Sequence, residues 1–171
     1  MSYLFEPLND KHRIPVIDIF NHYIVSGYAA YPEKKVSYEF FDILLEKTIG
    51  YPAFSIVNSS PKRVIGFCYL KPYHPFPVFK EAAEITYFIE PLEVGKGIGR
   101  KALLMLENKG RIMGIRQLLA SISSLNEQSL IFHLKNGFKE CGRFEMIGKK
   151  MGKHFDVIWM QKEVDKVKFK V

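Results

Sequence analysis

Three glycines at alternate positions are the residues whose type and spacing most directly suggest chemistry in this sequence. Gly95, Gly97 and Gly99 occur in mid-chain, within the string Val94-Gly95-Lys96-Gly97-Ile98-Gly99. Residues without a Cβ atom let backbone N–H groups close around an anion, and a helix that starts here adds its partial positive charge. The spacing therefore predicts a phosphate-binding loop at the start of a helix.

Two better-known glycine motifs do not account for this string. A P-loop has four residues between its first glycine and a Gly-Lys-Ser/Thr, and no such string occurs. The dinucleotide fingerprint needs Gly-x-Gly-x-x-Gly near the first strand of its unit, whereas the spacing here is Gly-x-Gly-x-Gly in mid-chain. A helix start that is merely rich in glycine remains the alternative interpretation.

The residues before the glycines predict a strand that leads the chain into this loop. Residues 84–90 alternate β-branched and aromatic side chains, and a proline ends the run. Alternation places Glu84, Thr86 and Phe88 on one face, and Tyr87 on the other face, towards the core. An ionisable side chain in an otherwise apolar strand is costly unless it is used or paired, so Glu84 is either functional or a salt-bridge partner.

The rest of the pattern predicts a mixed sheet with helices on its faces, an α/β or α+β arrangement. Hydrophobic periodicity and turn signals give the order β, α, α, β, β, β, α, β, α, β, β. Besides the strand at 84–90 and the helix after the glycines, strands are predicted at 2–8, 53–57, 64–70, 117–123, 139–146 and 155–162, and helices at 11–25, 38–49 and 126–136.

Composition limits the size, compartment and cofactors of the protein. The 171 residues are 47% hydrophobic and 14% aromatic, which predicts one domain over residues 1–163 and a short basic tail at 164–171. Cys68 and Cys141 lack metal-ligand spacing, so neither a metal site nor a disulfide is expected. No signal peptide and no apolar run of the ~20 residues that span a bilayer occur, so we expect a cytoplasmic protein without membrane contact.

The net charge of +7 makes anions the expected partners of the surface. Charge alone leaves nucleic acid, an acidic membrane and a polyphosphate cofactor open. Lys96, Arg100 and Lys101 are the basic residues nearest the glycines, where they could meet a phosphate group. The same residues are also compatible with an ordinary solvated helix start.

The glycine string resembles the acetyl-CoA loop of the Gcn5-related N-acetyltransferases (GNAT), Gln/Arg-x-x-Gly-x-Gly/Ala, although Val94 departs from it. Because backbone amides hold the pyrophosphate, this departure does not remove the mechanism. Three further strings resemble those of the branch that acetylates phosphinothricin and methionine sulfone. They are Asn21-His22-Tyr23, Asn126-x-x-Ser129-x-x-x-His133-x-x-x-Gly137-Phe138 and Gly148-x-x-x-Gly152-Lys153-x-x-Asp156-Val157-x-x-Met160-Gln161.

This resemblance implies a fold, a cosubstrate and an assembly. The fold is a mixed, mostly antiparallel central sheet flanked by about four helices. Acetyl-CoA is the cosubstrate, no metal is needed, and two copies pair through their C-terminal strands as a homodimer. The residues implied to contact acetyl-CoA are Tyr87, Phe88, Ile89, Val94, Gly95, Lys96, Gly97, Ile98, Gly99, Arg100 and Asn126.

Acetyl transfer from a thioester to an amine needs a neutral amine, a polarised carbonyl and a proton for the departing thiolate. An alkylammonium has a pKa near 10, so we expect Glu84 to accept its proton, directly or through a water. The resemblance assigns polarisation of the carbonyl to the backbone amide of Phe88 or Ile89. His133 stands where many relatives carry a tyrosine near the thiol sulfur, so it is expected to act as an acid or proton relay.

The candidate acceptor-binding residues are Tyr31, Tyr73, His74 and Phe76. Relatives that acetylate phosphinothricin tend to carry arginines before the central strand, whereas His74 and Phe76 stand here, which favours a less acidic, more apolar amine. The expected reaction is direct attack, in a ternary complex, by the primary amine of a small molecule, an amino acid or an analogue.

Two alternatives to a small-molecule acetyltransferase stay open at this point. One is a peptide or protein N-terminal acetyltransferase, which uses the same chemistry with a longer acceptor groove. The other is a non-catalytic basic module that binds RNA. Nucleic acid is not the expected partner, because no aromatic string of the common RNA-binding module occurs.

Overall fold

The described part of the chain, residues 3–164, forms seven strands and four α-helices in this computed structural model. The predicted order of elements is confirmed. Of the predicted basic tail at 164–171, all but Val164 lies outside the described residues. None of the helices in the described part is long and apolar enough to cross a membrane. The elements are β1 (Tyr3–Pro7), α1 (Arg13–Ser26), α2 (Phe40–Lys47), β2 (Ala53–Ser59), β3 (Lys62–Pro72), β4 (Ala82–Ile89), α3 (Ile98–Ile112), β5 (Gln117–Ser123), α4 (Glu127–Lys135), β6 (Lys139–Lys150) and β7 (Lys153–Glu163).

The main differences from the predicted boundaries lie in α2 and β6. Helix α2 begins at Phe40 rather than at 38, because the carbonyl of Ser37 accepts a turn hydrogen bond from the N–H of Phe40 at 3.1 Å. Strand β6 continues to Lys150, because its pairing with β7 resumes after an irregularity between Phe144 and Gly148. Sequence alternation is interrupted at such a bulge, so the strand was predicted too short.

The seven strands form one sheet in the order β1-β2-β3-β4-β5-β7-β6. Neighbouring strands are antiparallel except β4 and β5, which are parallel. This parallel pairing joins Ala82–Glu84 to Gln117–Leu119, although β4 continues to Ile89. Strand β5 stays paired with β7 up to Ser123. The second half of β4 therefore separates from β5, and a gap opens between the two strands.

The two faces of the sheet bury separate apolar clusters. The cluster on the α3 and α4 side includes Ile85 and Ile89 of β4. The cluster on the α1 and α2 side includes Phe67, and Phe88 packs against it. The predicted alternation of β4 is confirmed, and a register slip would expose side chains whose burial contributes ~1.5–3 kcal/mol each. This register turns Glu84 towards the α1 and α2 side.

Candidate active site

The glycine loop is exposed and leads directly into the start of α3. Gly95 and Gly97 have φ angles of +84° and +79°, and a Cβ atom on either would meet no atom within 4 Å. The open space is therefore on the outside of the loop, where an anion can approach. Gly99 differs, because a Cβ atom there would lie 3.4 Å from the ring of Phe132 on α4. The side chains of Val94 and Arg100 are exposed, and that of Ile98 is buried in the core.

A network of four charged side chains lies behind this loop. Lys96 Nζ donates to Glu93 Oε2 at 2.9 Å, and Arg63 pairs with both Glu93 and Glu90. The hydrogen bond from Lys96, together with Arg63, lowers the pKa of the buried Glu93 carboxyl. Lys96 is therefore tied to the protein, so its charge is directed partly towards Glu93 and not only towards a ligand.

A cavity of about 250 Å³ lies beside the same network, on the β1 side of the loop. Lys101 Nζ stands over the ring of Tyr3, 4.9 Å from its centre. None of the residues that line the cavity belongs to β4 or β5, and the cavity offers basic side chains next to the glycines. Its lining residues are Tyr3, Asn58, Ile65, Glu93, Lys96, Ile98 and Lys101.

The free edge of β4 presents the backbone of Ile89 to the gap. The N–H of Glu90 donates to Ile65 of β3 at 2.8 Å. Because successive amides of a strand alternate in direction, the N–H of Phe88 also faces β3, whereas the N–H of Ile89 faces the gap. The hydroxyl of Tyr23, from the end of α1, donates to the carbonyl of Ile89 at 2.6 Å. Of the two amides considered from sequence, only that of Ile89 points into the gap.

Glu84 lies where the pairing of β4 with β5 ends, opposite Leu119. Its Oε2 atom is 2.7 Å from Nζ of Lys71, the cross-strand partner on β3. The salt bridge that the sequence left open is therefore present, and it holds the carboxylate at the root of the gap. Within residues 3–164, no three His, Cys, Asp or Glu side chains form a group that could hold a metal ion.

His133 is buried in α4 with both ring nitrogens hydrogen-bonded. Nδ1 lies 2.7 Å from the carbonyl of Ser129, so it carries the hydrogen, and Nε2 accepts from the hydroxyl of Tyr87. Burial lowers the pKa of His133 to about 4 and raises the pKa of Tyr87. The structure therefore holds His133 as a neutral imidazole with both nitrogens engaged, and its role as an acid or relay stays a prediction.

Asn126 caps helix α4, in addition to the contact expected with the cofactor. Its Oδ1 accepts from the N–H of Ser129 at 3.3 Å. This bond fixes the side chain at the helix start, on the side of the sheet where α3 also begins. The amide nitrogen of Asn126 is not part of the cap, so it remains the group with which this residue could contact a ligand.

The loop before β4 forms an aromatic cluster on the α1 and α2 side of the sheet. Tyr73 meets Trp159 of β7 edge-on, with ring centres 6.2 Å apart. His74 lies between Phe76 and Phe79, at 5.0 Å and 4.9 Å. The predicted residues Tyr73, His74 and Phe76 are therefore brought together, and Trp159 joins them although the sequence did not single it out.

Tyr31 approaches the same region from the loop between α1 and α2. Its hydroxyl is 3.2 Å from Oγ of Ser121, and Ser121 is the cross-strand partner of Trp159. Ser121 lies two residues after Leu119 on β5, and Leu119 is the partner of Glu84 on β4, so Ser121 faces the same side of the sheet as Glu84. Tyr31 and Glu84 therefore lie on the same face of the sheet, and the two candidates share one site.

Two residues of the Asn21-His22-Tyr23 string have roles that sequence reasoning missed. The carboxamide of Asn21 bonds both backbone groups of Val36, at 2.8 Å and 3.0 Å, and so fixes the chain before α2. Tyr23 supplies the hydroxyl at Ile89. The string itself indicates such roles, because two polar side chains near the end of an apolar helix need hydrogen-bond partners.

Comparison with known proteins agrees with this geometry. The family described as "Acetyltransferase (GNAT) domain" matches residues 17–159. The chain is 27% identical over 152 residues to the L-methionine sulfoximine/L-methionine sulfone acetyltransferase of Salmonella typhimurium, covering 88% of each protein. The phosphinothricin branch inferred from the spaced strings is therefore confirmed as the group of relatives.

Two solved structures share the fold over nearly the whole chain. A GNAT superfamily phosphinothricin acetyltransferase from Sinorhizobium meliloti, solved in complex with acetyl-CoA, aligns with a TM-score of 0.88 at 23% identity, over 96% of this chain and 89% of that one. A ribosomal-protein-alanine N-acetyltransferase from Brucella melitensis aligns with a TM-score of 0.84 at 28% identity, over 94% and 99%. With the family match and the split between β4 and β5, these likenesses mean that the chain belongs to the GNAT family and is an acetyl-CoA-dependent N-acetyltransferase.

Proposed function

We propose that this enzyme acetylates the primary amine of a small molecule, an amino acid or an analogue, by direct attack on acetyl-CoA in a ternary complex. One observation carries the proposal. Glu84 lies at the root of the gap between β4 and β5, on the same face of the sheet as an aromatic site built by Tyr31 and Tyr73. An amine held there has a carboxylate next to it, and a thioester placed in the gap lies within reach.

Acetyl-CoA is proposed to enter from the glycine loop. The backbone of Gly95 and Gly97 leaves open space at the start of α3, which fits a pyrophosphate. Lys101 and Arg100 add positive charge to the flank, whereas Lys96 shares its charge with Glu93. The thioester carbonyl would then accept a hydrogen bond from the N–H of Ile89. This hydrogen bond becomes stronger in the transition state, because negative charge develops on the carbonyl oxygen.

Glu84 is proposed to accept the proton of the amine, directly or through a water. Lys71 holds the carboxylate at 2.7 Å and so limits the positions that the base can occupy. His133 is proposed to take no part in this proton path, because Tyr87 and Ser129 already occupy its ring nitrogens. Base catalysis of this kind contributes ~10²- to 10⁴-fold to the rate.

The acceptor is proposed to have an apolar body. The rings of Tyr73, His74, Phe76 and Trp159 present aromatic surface, and the segment 73–79 before β4 contains no arginine. Phosphinothricin, with its acidic head, is therefore a poorer candidate than methionine sulfone or a neutral amino acid. The remote alternative of a non-catalytic RNA-binding module is wrong, because the chain belongs to an enzyme family.

A panel of amines tests this function. Thiol release from acetyl-CoA would be followed with methionine sulfone, phosphinothricin, neutral amino acids and a peptide that begins with alanine. The peptide is included because the Brucella melitensis relative carries the name ribosomal-protein-alanine N-acetyltransferase. We expect turnover with a small amine that lacks an acidic head group, lowered ~10²- to 10⁴-fold at pH 7 in Glu84→Gln. Turnover with the peptide alone would replace the proposal with N-terminal acetylation of proteins.

We also propose that two copies pair through the outer strand β6. This strand forms the edge of the sheet, and Phe144, Met146 and Ile147 on it are 53–62% exposed. Asp156 fixes the bulge that carries them, because its carboxylate accepts from the N–H of Met146 at 2.9 Å. An exposed apolar edge is a liability unless another chain covers it, and a symmetric homodimer is the simplest cover.

A further inference from the structure

Lys150, at the end of β6, is a buried cation that the acetyl-transfer chemistry does not use. Its side chain is only 1% exposed, and Nζ donates to the carbonyls of Gly27 at 2.7 Å and Ala30 at 2.6 Å. Both carbonyls belong to the acceptor loop, which we define as residues 27–31, directly after α1. A lysine is almost never this buried unless it is paired. Here its partners are backbone carbonyls.

Burying the charged ammonium group of Lys150 costs free energy, which indicates that the group has a function beyond filling space. Burial lowers the pKa of Lys150, while the charge of Glu33 acts in the opposite direction. If only packing were needed, an apolar side chain of the same length would fill the space without this penalty. An ammonium group does what an apolar group cannot, because it binds two carbonyls at once near the negative end of α1.

The hairpin formed by β6 and β7 contacts the acceptor loop at a second point. A Cβ atom on Gly148 would clash with the ring of Phe155, so glycine at this position lets the ring lie against β6. The ring of Phe155 stacks on Tyr31, with centres 6.0 Å apart and planes 11° apart. It also meets Tyr28 edge-on at 6.1 Å. Backbone bonds from Lys150 and ring contacts from Phe155 therefore hold the same short loop.

This loop carries an acceptor-site residue directly after the carbonyl that Lys150 binds. Tyr31 follows Ala30, and its hydroxyl reaches Ser121, which lies on the same face of β5 as Leu119, the partner of Glu84. Freeing the carbonyl of Ala30 would let the Tyr31 backbone move, while the glycine loop at the far end of β4 keeps its own contacts. The hairpin thus acts on the amine side of the site and not on the cofactor side.

We propose that Lys150 is a positioning residue for the acceptor amine, and that together with Gly148 and Phe155 it braces the acceptor loop. The inference rests on the proposed function for its kinetic consequence, since it assigns Tyr31 to acceptor binding. The structural part of the inference, that buried Lys150 orders residues 27–31, does not depend on which amine is the substrate.

The test compares Lys150→Met with Lys149→Met, an exposed lysine one position earlier on the same strand. Loss of two charge-assisted hydrogen bonds should raise KM for the amine by ~10-fold or more, with the Kd of acetyl-CoA, measured by calorimetry, changed less than ~2-fold. Hydrogen exchange of residues 27–31 should rise by at least ~10-fold in Lys150→Met. Lys149→Met should change none of these quantities.

The two proposals fail in different ways. If no amine of the panel is acetylated, the proposed function fails, and hydrogen exchange still decides whether Lys150 orders the loop. The proposed role of Lys150 is refuted if Lys150→Met leaves both the KM of the amine and the hydrogen exchange of residues 27–31 unchanged. It is also refuted if the variant weakens the binding of acetyl-CoA as much as that of the amine. Should Lys150→Met not fold, Phe155→Leu gives the second test, because it removes the stacking on Tyr31 and keeps an apolar side chain. A normal amine KM and normal loop exchange in Phe155→Leu would also overturn the proposal.

Discussion

Replacing His133 with glutamine should make the protein less sensitive to acid. An unfolded imidazole has a pKa near 6.5, whereas burial lowers the pKa of folded His133 to about 4. Below pH 6.5 the unfolded chain therefore binds a proton that the folded chain does not, so stability falls as the pH falls through this window. At 1.36 kcal/mol per pH unit, the full loss between pH 6.5 and 4 is ~3 kcal/mol, and ~2 kcal/mol is already lost at pH 5.

Urea unfolding at pH 7, 6 and 5 measures this effect. The wild type should lose ~2 kcal/mol more between pH 7 and pH 5 than His133→Gln, which has no titrating ring. Any packing cost of the substitution cancels, because each protein is compared with itself at two pH values. His154→Gln, at an exposed histidine of β7, serves as the control and should behave as the wild type. Equal losses in wild type and His133→Gln would refute a buried neutral imidazole.

The same variant tests the proton path. Because burial lowers the pKa of His133 to about 4, His133→Gln should keep the shape of the wild-type pH profile of kcat/KM between pH 6 and 9. Disappearance of one limb of that profile would place the imidazole in the reaction. If His133→Phe also lost turnover while Glu84→Gln kept it, the assignment of Glu84 would be wrong.

Four further outcomes are expected. CoA at a hundredfold excess over its Kd should stabilise the protein against unfolding by about 2.7 kcal/mol, measured by thermal shift. Gly97→Val should abolish this stabilisation, because Gly97 has a φ of +79°. A normal stabilisation of the variant by CoA would show that the glycine loop does not bind the cofactor. Glu84→Gln should lower kcat/KM by ~10²- to 10⁴-fold at pH 7, with a smaller loss at high pH where the amine is already neutral; a penalty in KM alone that pH does not relieve would make Glu84 an ammonium anchor. Tyr23→Phe should lower kcat ~5- to 10-fold with the Kd of acetyl-CoA unchanged, since the hydroxyl at Ile89 is lost; an unchanged kcat would show that this bond does not position the edge of β4. Light scattering at micromolar concentration should give a dimer that Met146→Glu dissociates, and a wild-type monomer would contradict the pairing through β6.

Local patterns in the sequence predicted the order of elements and the faces of β4. Period-2 alternation is set by the backbone itself, so the opposite directions of Phe88 and Ile85 follow from their positions alone. Glycine spacing likewise predicted the loop before α3, because Gly95 and Gly97 adopt the left-handed conformation that glycine favours.

Other parts of the site depend on contacts between distant segments, which a single sequence does not reveal. The pairing of Glu84 with Lys71 requires the register of β3 against β4. The burial of His133 requires the packing of α4 against Tyr87, and nothing in a lone helical histidine indicates that depth. Lys150 and Ala30 are 120 residues apart in sequence, so no spacing rule could have joined them.

The short pairing between β4 and β5 also bears on how long the protein survives in a cell. Within residues 3–164, the sheet joins strands β1 to β4 with strands β5 to β7 only where Ala82–Glu84 pairs with Gln117–Leu119. Such a boundary is where partial unfolding should begin, with the two groups of strands as separate cooperative units. A cosubstrate seated in the gap would touch both units and supply contacts that the chain does not make for itself. Proteolytic turnover of this enzyme should then slow when acetyl-CoA is plentiful, which links its abundance to the supply of its own substrate.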